Sequence, residues 1–210
     1  MRAVFLDRDG VISENRHDHV KSWEEFRFLP GALDALARLH QAGFPLFIVT
    51  NQAIINRGMI TAQMLEDIHA RMLGHVVQHG GFIDDIRYCP HDYGENCGCR
   101  KPRAGMLIDL AARWQIDLAD SYFIGDAWTD IAAGRAVNCR TILVRTGRGE
   151  EHIRLPESRY YPADHTAADL PDAANWIMQI EGIVPAHHSV NSLAPRAVSA
   201  TWQATLPAGG

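Results

Sequence analysis

Ala3-Val4-Phe5-Leu6-Asp7-Arg8-Asp9-Gly10 is a continuous apolar run that ends abruptly on two acids and a glycine. An unbroken run of this kind fits a strand covered on both faces, because a half-solvated strand would alternate polar and apolar residues. Leu46-Phe47-Ile48-Val49 and Ile142-Leu143-Val144 repeat the pattern further along the chain. Between such runs lie segments with helical periodicity. The spacing predicts strands over 2–6, 45–50, 86–88, 122–124 and 141–144, and helices over 31–41, 61–79, 104–115 and 128–137. Thr61 is the expected cap of the long second helix. A last strand and turn over 164–170 and a closing helix over 172–180 complete the set. Strands alternating with helices predict an α/β fold, a doubly wound (Rossmann-like) parallel sheet with its active site at the carboxyl ends of the strands. The folded domain is expected to span 1–181. The segment 182–210, rich in Ala, Pro, Ser and His, reads as a flexible C-terminal tail.

The chain has 210 residues, enough for one well-buried domain, and ordinary fractions of hydrophobic (47%) and charged (21%) residues. A net charge of −5 argues against a nucleic-acid partner, so an anionic substrate has to be met by a local cluster of cations. Asp7 interrupts the first apolar run too early for a signal peptide, and no stretch is long enough for a membrane helix. The expectation is a cytoplasmic monomer without nucleic-acid or membrane partners. Three of the four cysteines fall within eleven residues beside a histidine, which favours metal binding over disulfides. Cys139 reads as a small buried hydrophobe after a helix.

Each strand delivers polar residues where its apolar run stops: Asp7 and Asp9, then Thr50-Asn51-Gln52, then Gly125-Asp126, with Asp130 four residues on. The topology brings these ends together. Several carboxylates at short range repel unless a cation joins them, and an oxygen-only set with an open face favours Mg²⁺. Adding the Thr50 hydroxyl and Lys101 gives a site matched to a transferring phosphoryl group. In that chemistry Asp7 is the nucleophile that forms an aspartyl-phosphate. Asp9 protonates the leaving alcohol and then activates water, while Thr50 and Lys101 bind phosphoryl oxygens. Gly10 permits the tight turn that exposes both acids.

The loop Cys89-Pro90-His91-Asp92-Tyr93-Gly94-Glu95-Asn96-Cys97-Gly98-Cys99-Arg100-Lys101 carries three thiols and an imidazole. Cys89, His91, Cys97 and Cys99 form the ligand set of a closed tetrahedral Zn²⁺ site. With every position filled by protein, the zinc is structural, and its effect is to fix where Arg100 and Lys101 point.

Asp7-x-Asp9-Gly10, Thr50, Lys101 and Gly125-Asp126-x-x-x-Asp130 resemble, in order, the four motifs of the haloacid dehalogenase superfamily. The match spans about residues 1–150, and the second acid of its first motif follows the pattern of the phosphatases. The metal loop ending in Cys99-Arg100-Lys101-Pro102 is similar to a narrower branch, which contains the heptose 1,7-bisphosphate phosphatases and the phosphatase part of histidinol-phosphate enzymes. The intervals after Gly10 and after Thr50 are too short for a large cap domain. The resemblance implies that Asp7, the Asp9 backbone carbonyl and Asp126 ligate Mg²⁺. It also implies substrate recognition by Arg100, with Asn51 and Arg57 as further candidates. Arg57-Gly58, Lys101-Pro102-x-x-Gly105-Met106 and Val144-Arg145-Thr146-Gly147 lean towards the heptose enzymes, and so towards removal of the 7-phosphate of D-glycero-D-manno-heptose 1,7-bisphosphate. Histidinol phosphate is the alternative substrate. Two features depart from the heptose pattern: Ala53-Ile54 replaces the usual Ser-Gly, and residues 13–22, expected to line the sugar site, differ.

Each residue alone has a plainer reading. Asp126 would serve as a helix cap, Thr50 as a turn cap and Lys101 as a solvated charge. His17, His19, Arg145 and Arg148 read as solvated loop residues that could instead meet substrate. A zinc-stabilised module that binds phosphate esters without turning them over is the rival to an enzyme.

Overall fold

The computed structural model describes residues 1–183. Six parallel strands form one sheet: β1 (Val4–Leu6), β2 (Leu46–Asn51), β3 (Asp85–Cys89), β4 (Tyr122–Gly125), β5 (Arg140–Val144) and β6 (His165–Ala167). Their spatial order is β3-β2-β1-β4-β5-β6. Five longer helices cover the sheet: α1 (Ala32–Gln41), α2 (Ala62–Gln78), α3 (Gly105–Trp114), α4 (Trp128–Arg135) and α7 (Leu170–Ile180). Two short helices, α5 (Gly149–His152) and α6 (Pro156–Tyr160), follow β5.

The continuous apolar runs are the central strands, and the register explains why. Val4 and Leu6 lie level with Leu46 and Ile48 on one side and with Tyr122 and Ile124 on the other. Alternate side chains then enter two separate cores. Leu6, Ile48 and Ile124 pack with α1, α2 and α7 residues such as Leu36, Ile68 and Ile177. Phe5, Phe47 and Phe123 pack on the other face with Leu107 and Leu110 of α3 and Ala133 of α4. Cys139 belongs to this second core, and burial pushes its thiol up to about 12, so it behaves as the expected small hydrophobe.

Thr61 caps α2 as expected, its hydroxyl accepting from the Met64 amide at 3.2 Å. The helix expected over 128–137 stops at Arg135 and the first strand starts at Val4, although Ala3 and Val137 beyond these ends still pack in the second core. The two turns of helix over 149–160 were not foreseen, because neither is long enough to show a period. Among the described residues no large cap domain is inserted. Residues 11–31 form a compact loop with one 3₁₀ turn (Trp23–Glu25), and Ser13 bridges to Phe28. Among the described residues no helix is long and apolar enough to cross a membrane. The tail expected over 182–210 lies, from residue 184 onward, outside the described residues.

Candidate active site

The strand order changes direction between β1 and β4, and a crevice opens there at the carboxyl ends of the strands. Asp7 follows β1, and its amide donates to the Ile124 carbonyl at 2.9 Å. Asp126 follows β4, Thr50 sits on β2, and Lys101 enters from the loop after β3. Carboxylate oxygens of Asp7, Asp126 and Asp130 lie within 4.8 Å of one another. The Lys101 ammonium is buried among them, 3.0 Å from Asp7 Oδ1, 2.6 Å from Asp130 Oδ1 and 2.7 Å from the Val49 carbonyl.

One ammonium does not balance three buried carboxylates. Burial, opposed by Lys101 and reinforced by Asp130 and Asp9, pushes Asp7 up to about 6. Burial, with Asp7 and Asp130 nearby, raises Asp126 well above the ordinary carboxylate range. An oxygen-only donor set that favours extra positive charge in this way fits a hard divalent cation of the Mg²⁺ type.

The Asp126 carboxylate is gripped by two glycine turns. Gly10 has φ +90° and Gly147 φ +58°, and a Cβ on either would run into that carboxylate. Asp126 Oδ2 accepts from the Arg148 amide at 2.8 Å, not from the start of α4. The helix cap is supplied by Asp130, whose Oδ2 accepts from the Ala127 amide at 3.0 Å. Asp130 therefore has two tasks, holding the start of α4 and pairing with Lys101.

Asp9 stands apart from that cluster. Its oxygens accept from Arg8 Nε at 3.0 Å and Nη2 at 2.8 Å, from Ser13 Oγ at 3.1 Å and from Gln52 Nε2 at 3.0 Å. Burial acts to raise this acid, but the Arg8 charge and the four hydrogen bonds outweigh it and hold Asp9 below its ordinary value. Gln52 Nε2 also donates to Thr50 Oγ1 at 3.0 Å. The Thr50 hydroxyl proton is then left for a ligand. Behind Arg8 lies His69, fully enclosed on α2; burial and the Arg8 charge lower it to about 3, so its ring is neutral.

The metal loop places its four donors as expected. Cys89 Sγ is 3.5 Å from His91 Nδ1, 3.6 Å from Cys97 Sγ and 3.2 Å from Cys99 Sγ, and His91 Nδ1 is 3.3 Å from Cys99 Sγ. Separations of this size suit a set of sulfur and nitrogen ligands at about 2.0–2.3 Å from one small ion, so the cluster fits zinc. Burial raises the Cys89 thiol strongly, which disfavours a lone thiolate there. At Cys97, burial is outweighed by hydrogen bonds from backbone amides and neighbouring thiols, and the thiol is lowered.

The same loop anchors pocket side chains. Arg100 Nη1 donates to the His91 carbonyl at 2.9 Å, and its guanidinium lies 4.2 Å from the centre of the Tyr93 ring. Arg57 is clasped by both oxygens of Asp92 at 2.7 and 2.8 Å. Asn51 spends its amide on the Lys101 backbone, donating to the carbonyl and accepting from the amide, both at 3.1 Å. It holds Lys101 in place while lining the pocket.

The sequence-derived set Asp7, Asp9, Thr50, Asn51, Arg57, Arg100, Lys101 and Asp126 meets in one pocket. His19 and Arg148 line it as well, whereas His17 and Arg145 do not. Arg145 instead pairs with Glu150. Asn15 and Arg16, from the 13–22 segment expected at the sugar site, line the pocket too, and Tyr93 is a lining residue that sequence reasoning missed. Sequence reasoning also missed Arg8 and His69, which support Asp9 from behind without lining the pocket. His69 had a readable signal: it falls on the inward stripe of α2 with Leu65, Ile68, Met72 and Val76, where a polar residue needs a buried partner.

The family model described as haloacid dehalogenase-like hydrolase matches residues 1–135, and a second model of HAD-like hydrolases matches residues 98–173. The chain is 40% identical over 153 residues to the D-glycero-β-D-manno-heptose-1,7-bisphosphate 7-phosphatase of Pseudomonas aeruginosa, covering 73% of this chain and 86% of that protein. It is 39% identical over 181 residues to the Neisseria meningitidis protein of the same name, covering 85% and 96%. Among solved structures, the D,D-heptose 1,7-bisphosphate phosphatase from Bordetella bronchiseptica, complexed with magnesium and phosphate, superposes with a TM-score of 0.80 at 37% identity. That match covers 86% of this chain and 99% of the other.

Proposed function

The chain belongs to the haloacid dehalogenase-like hydrolases, and from that premise we propose that it is a Mg²⁺-dependent phosphomonoesterase removing the 7-phosphate of D-glycero-β-D-manno-heptose 1,7-bisphosphate. The observation that carries the reading is the meeting of Asp7, Asp126 and Asp130 around Lys101 at the switch point of the sheet. The names of the relatives favour the heptose bisphosphate, and its β anomer, over histidinol phosphate.

Asp7, Asp126 and the Asp9 backbone carbonyl are the residues that would hold Mg²⁺, which when bound neutralises charge between nucleophile and phosphate. An Asp7 oxygen attacks phosphorus. The bond to the sugar oxygen breaks, and Asp9 gives that oxygen its proton. Asp9, now ionised, takes a proton from water, which attacks the phosphorus of the aspartyl-phosphate, frees phosphate and restores Asp7. The four donors on Asp9 suit it to the second step; for the first, the charge of the arriving phosphate favours its protonation. Thr50 donates its free hydroxyl proton to a phosphoryl oxygen. The Lys101 ammonium, pinned between Asp7 and Asp130, meets the negative charge that the phosphoryl group brings to Asp7.

The Cys89, His91, Cys97 and Cys99 cluster holds structural zinc in this reading, and through His91 and Asp92 the loop presents Arg100 and Arg57 to the far end of a small phosphorylated sugar. Acid-quenching the enzyme during turnover tests the covalent step. The expected product is one acid-stable, alkali-labile phosphoryl group per chain on the peptide that contains Asp7. Turnover with no label on that peptide would refute Asp7 as nucleophile.

A further inference from the structure

Among the described residues the largest fully enclosed side chain is Arg8, which lies between the two reactive acids in sequence yet does not line the pocket. A guanidinium remains ionised, and its burial is costly unless its charge and its donors are met. Arg8 meets both needs through Asp9 and His69. Nε and Nη2 reach the two oxygens of Asp9 as a fork, and Nη1 lies 3.1 Å from His69 Nε2. A guanidinium nitrogen can only donate, so His69 Nε2 accepts and the ring proton sits on Nδ1. The amides of Ile12 and Ser13 both bond to the Arg8 carbonyl at 2.9 Å, which fixes the backbone of the pair as well.

We infer that Arg8 and His69 are positioning residues: His69 fixes the plane of the Arg8 guanidinium, and the guanidinium fork fixes the direction in which Asp9 presents its carboxyl to the leaving oxygen. This rests on the acid–base role of Asp9 proposed above. The side-chain hydrogen bonds of Arg8 go only to Asp9 and His69 among the described residues, so the network ends on the one acid whose remaining surface opens to the pocket. Apolar side chains would fill the same space without the desolvation cost, so stability alone does not account for the pair. Proton transfer does account for it, since its efficiency depends on the orientation of the acid.

Leaving groups separate positioning from simple destabilisation. D-glycero-β-D-manno-heptose 1,7-bisphosphate releases an alkoxide that needs a proton, whereas p-nitrophenyl phosphate releases a phenolate that does not. kcat/KM covers only the steps up to departure of that group. Asp9→Asn is expected to lower kcat/KM on the bisphosphate by about 10²- to 10⁴-fold and to spare the aryl ester. His69→Leu, which removes the acceptor, should give the same selective loss at about 10- to 100-fold, and His69→Gln, which returns an acceptor, should recover most of it. Arg8→Lys keeps the charge, loses the fork and should also be selective; it carries the comparison if His69→Leu fails to fold. A selective loss from Asp9→Asn beside equal losses on both substrates from the His69 and Arg8 variants would overturn the inference alone. Equal losses from Asp9→Asn itself would overturn the acid role of Asp9 and the inference with it.

Discussion

The strand ends that carry Asp7, Thr50 and Asp126 are covered by helices on both faces, whereas the loop 89–103 lining another part of the pocket encloses very little. Its 3₁₀ turn Tyr93–Glu95 has no buried residue, and its Arg57–Asp92 pair is more than a third exposed on both partners. The first region is held by packing. The second is held by three thiols, an imidazole and surface hydrogen bonds, including a capping box in which Glu95 accepts from the Asp92 amide at 2.6 Å. In the proposed reading, phosphoryl chemistry belongs to the packed floor, and recognition of the rest of the substrate to a wall whose shape would depend on bound zinc.

The largest effect that would break this division comes from the floor. Asp7→Asn is expected to reduce turnover by about four orders of magnitude or more while the thermal midpoint holds or rises, since it removes a buried like charge. Loss of turnover together with loss of fold would contradict it. Cys97→Ser comes next. Zinc content, read by metal analysis, should fall, and kcat/KM on the heptose bisphosphate should drop roughly tenfold or more. The same variant should act much less on p-nitrophenyl phosphate, because Lys101 is held independently by Asn51, Val49 and Asp130. A zinc-free protein with full activity on the bisphosphate would detach wall from function.

A third effect sharpens the electrostatics of the floor. Asp7, pushed up to about 6, and Asp126, also raised, make the metal-free protein bind more protons folded than unfolded above the ordinary carboxylate range. Their contribution is present at low pH and is lost as pH rises through the folded values. Mg²⁺ should therefore raise the thermal midpoint more at pH 7.5 than at pH 5. An equal rise at both would place the cation elsewhere. The smallest effect belongs to Arg57→Ala. The exposed pair it breaks should barely alter the thermal midpoint, while KM for the bisphosphate rises about three- to tenfold at unchanged kcat.

The two regions also differed in how far the sequence revealed them. β1, β2, β4 and β5 were legible because burial on both faces leaves continuous apolar runs, and the acids stood out because each interrupts such a run. The metal donors were legible because they are close in sequence. What depends on tertiary approach was not. Nothing local marks Arg8 as a fully enclosed side chain, since His69 meets it only after α2 packs. The role of Asp130 rests on contacts with Lys101 and the Ala127 amide that its place in the sequence does not show. Asn51 was read as a substrate contact from its neighbours in the motif, yet its amide is committed to the Lys101 backbone. Tyr93 reaches the pocket from a loop, where no periodicity announces direction.

The most direct measurement is the initial rate of phosphate release from the α and β anomers of D-glycero-D-manno-heptose 1,7-bisphosphate, with histidinol phosphate in parallel, in Mg²⁺ and in chelator. The expected result is release of one phosphate per sugar, fastest from the β anomer and abolished by the chelator. Release from histidinol phosphate at an equal or higher rate, or release indifferent to Mg²⁺, would contradict the account.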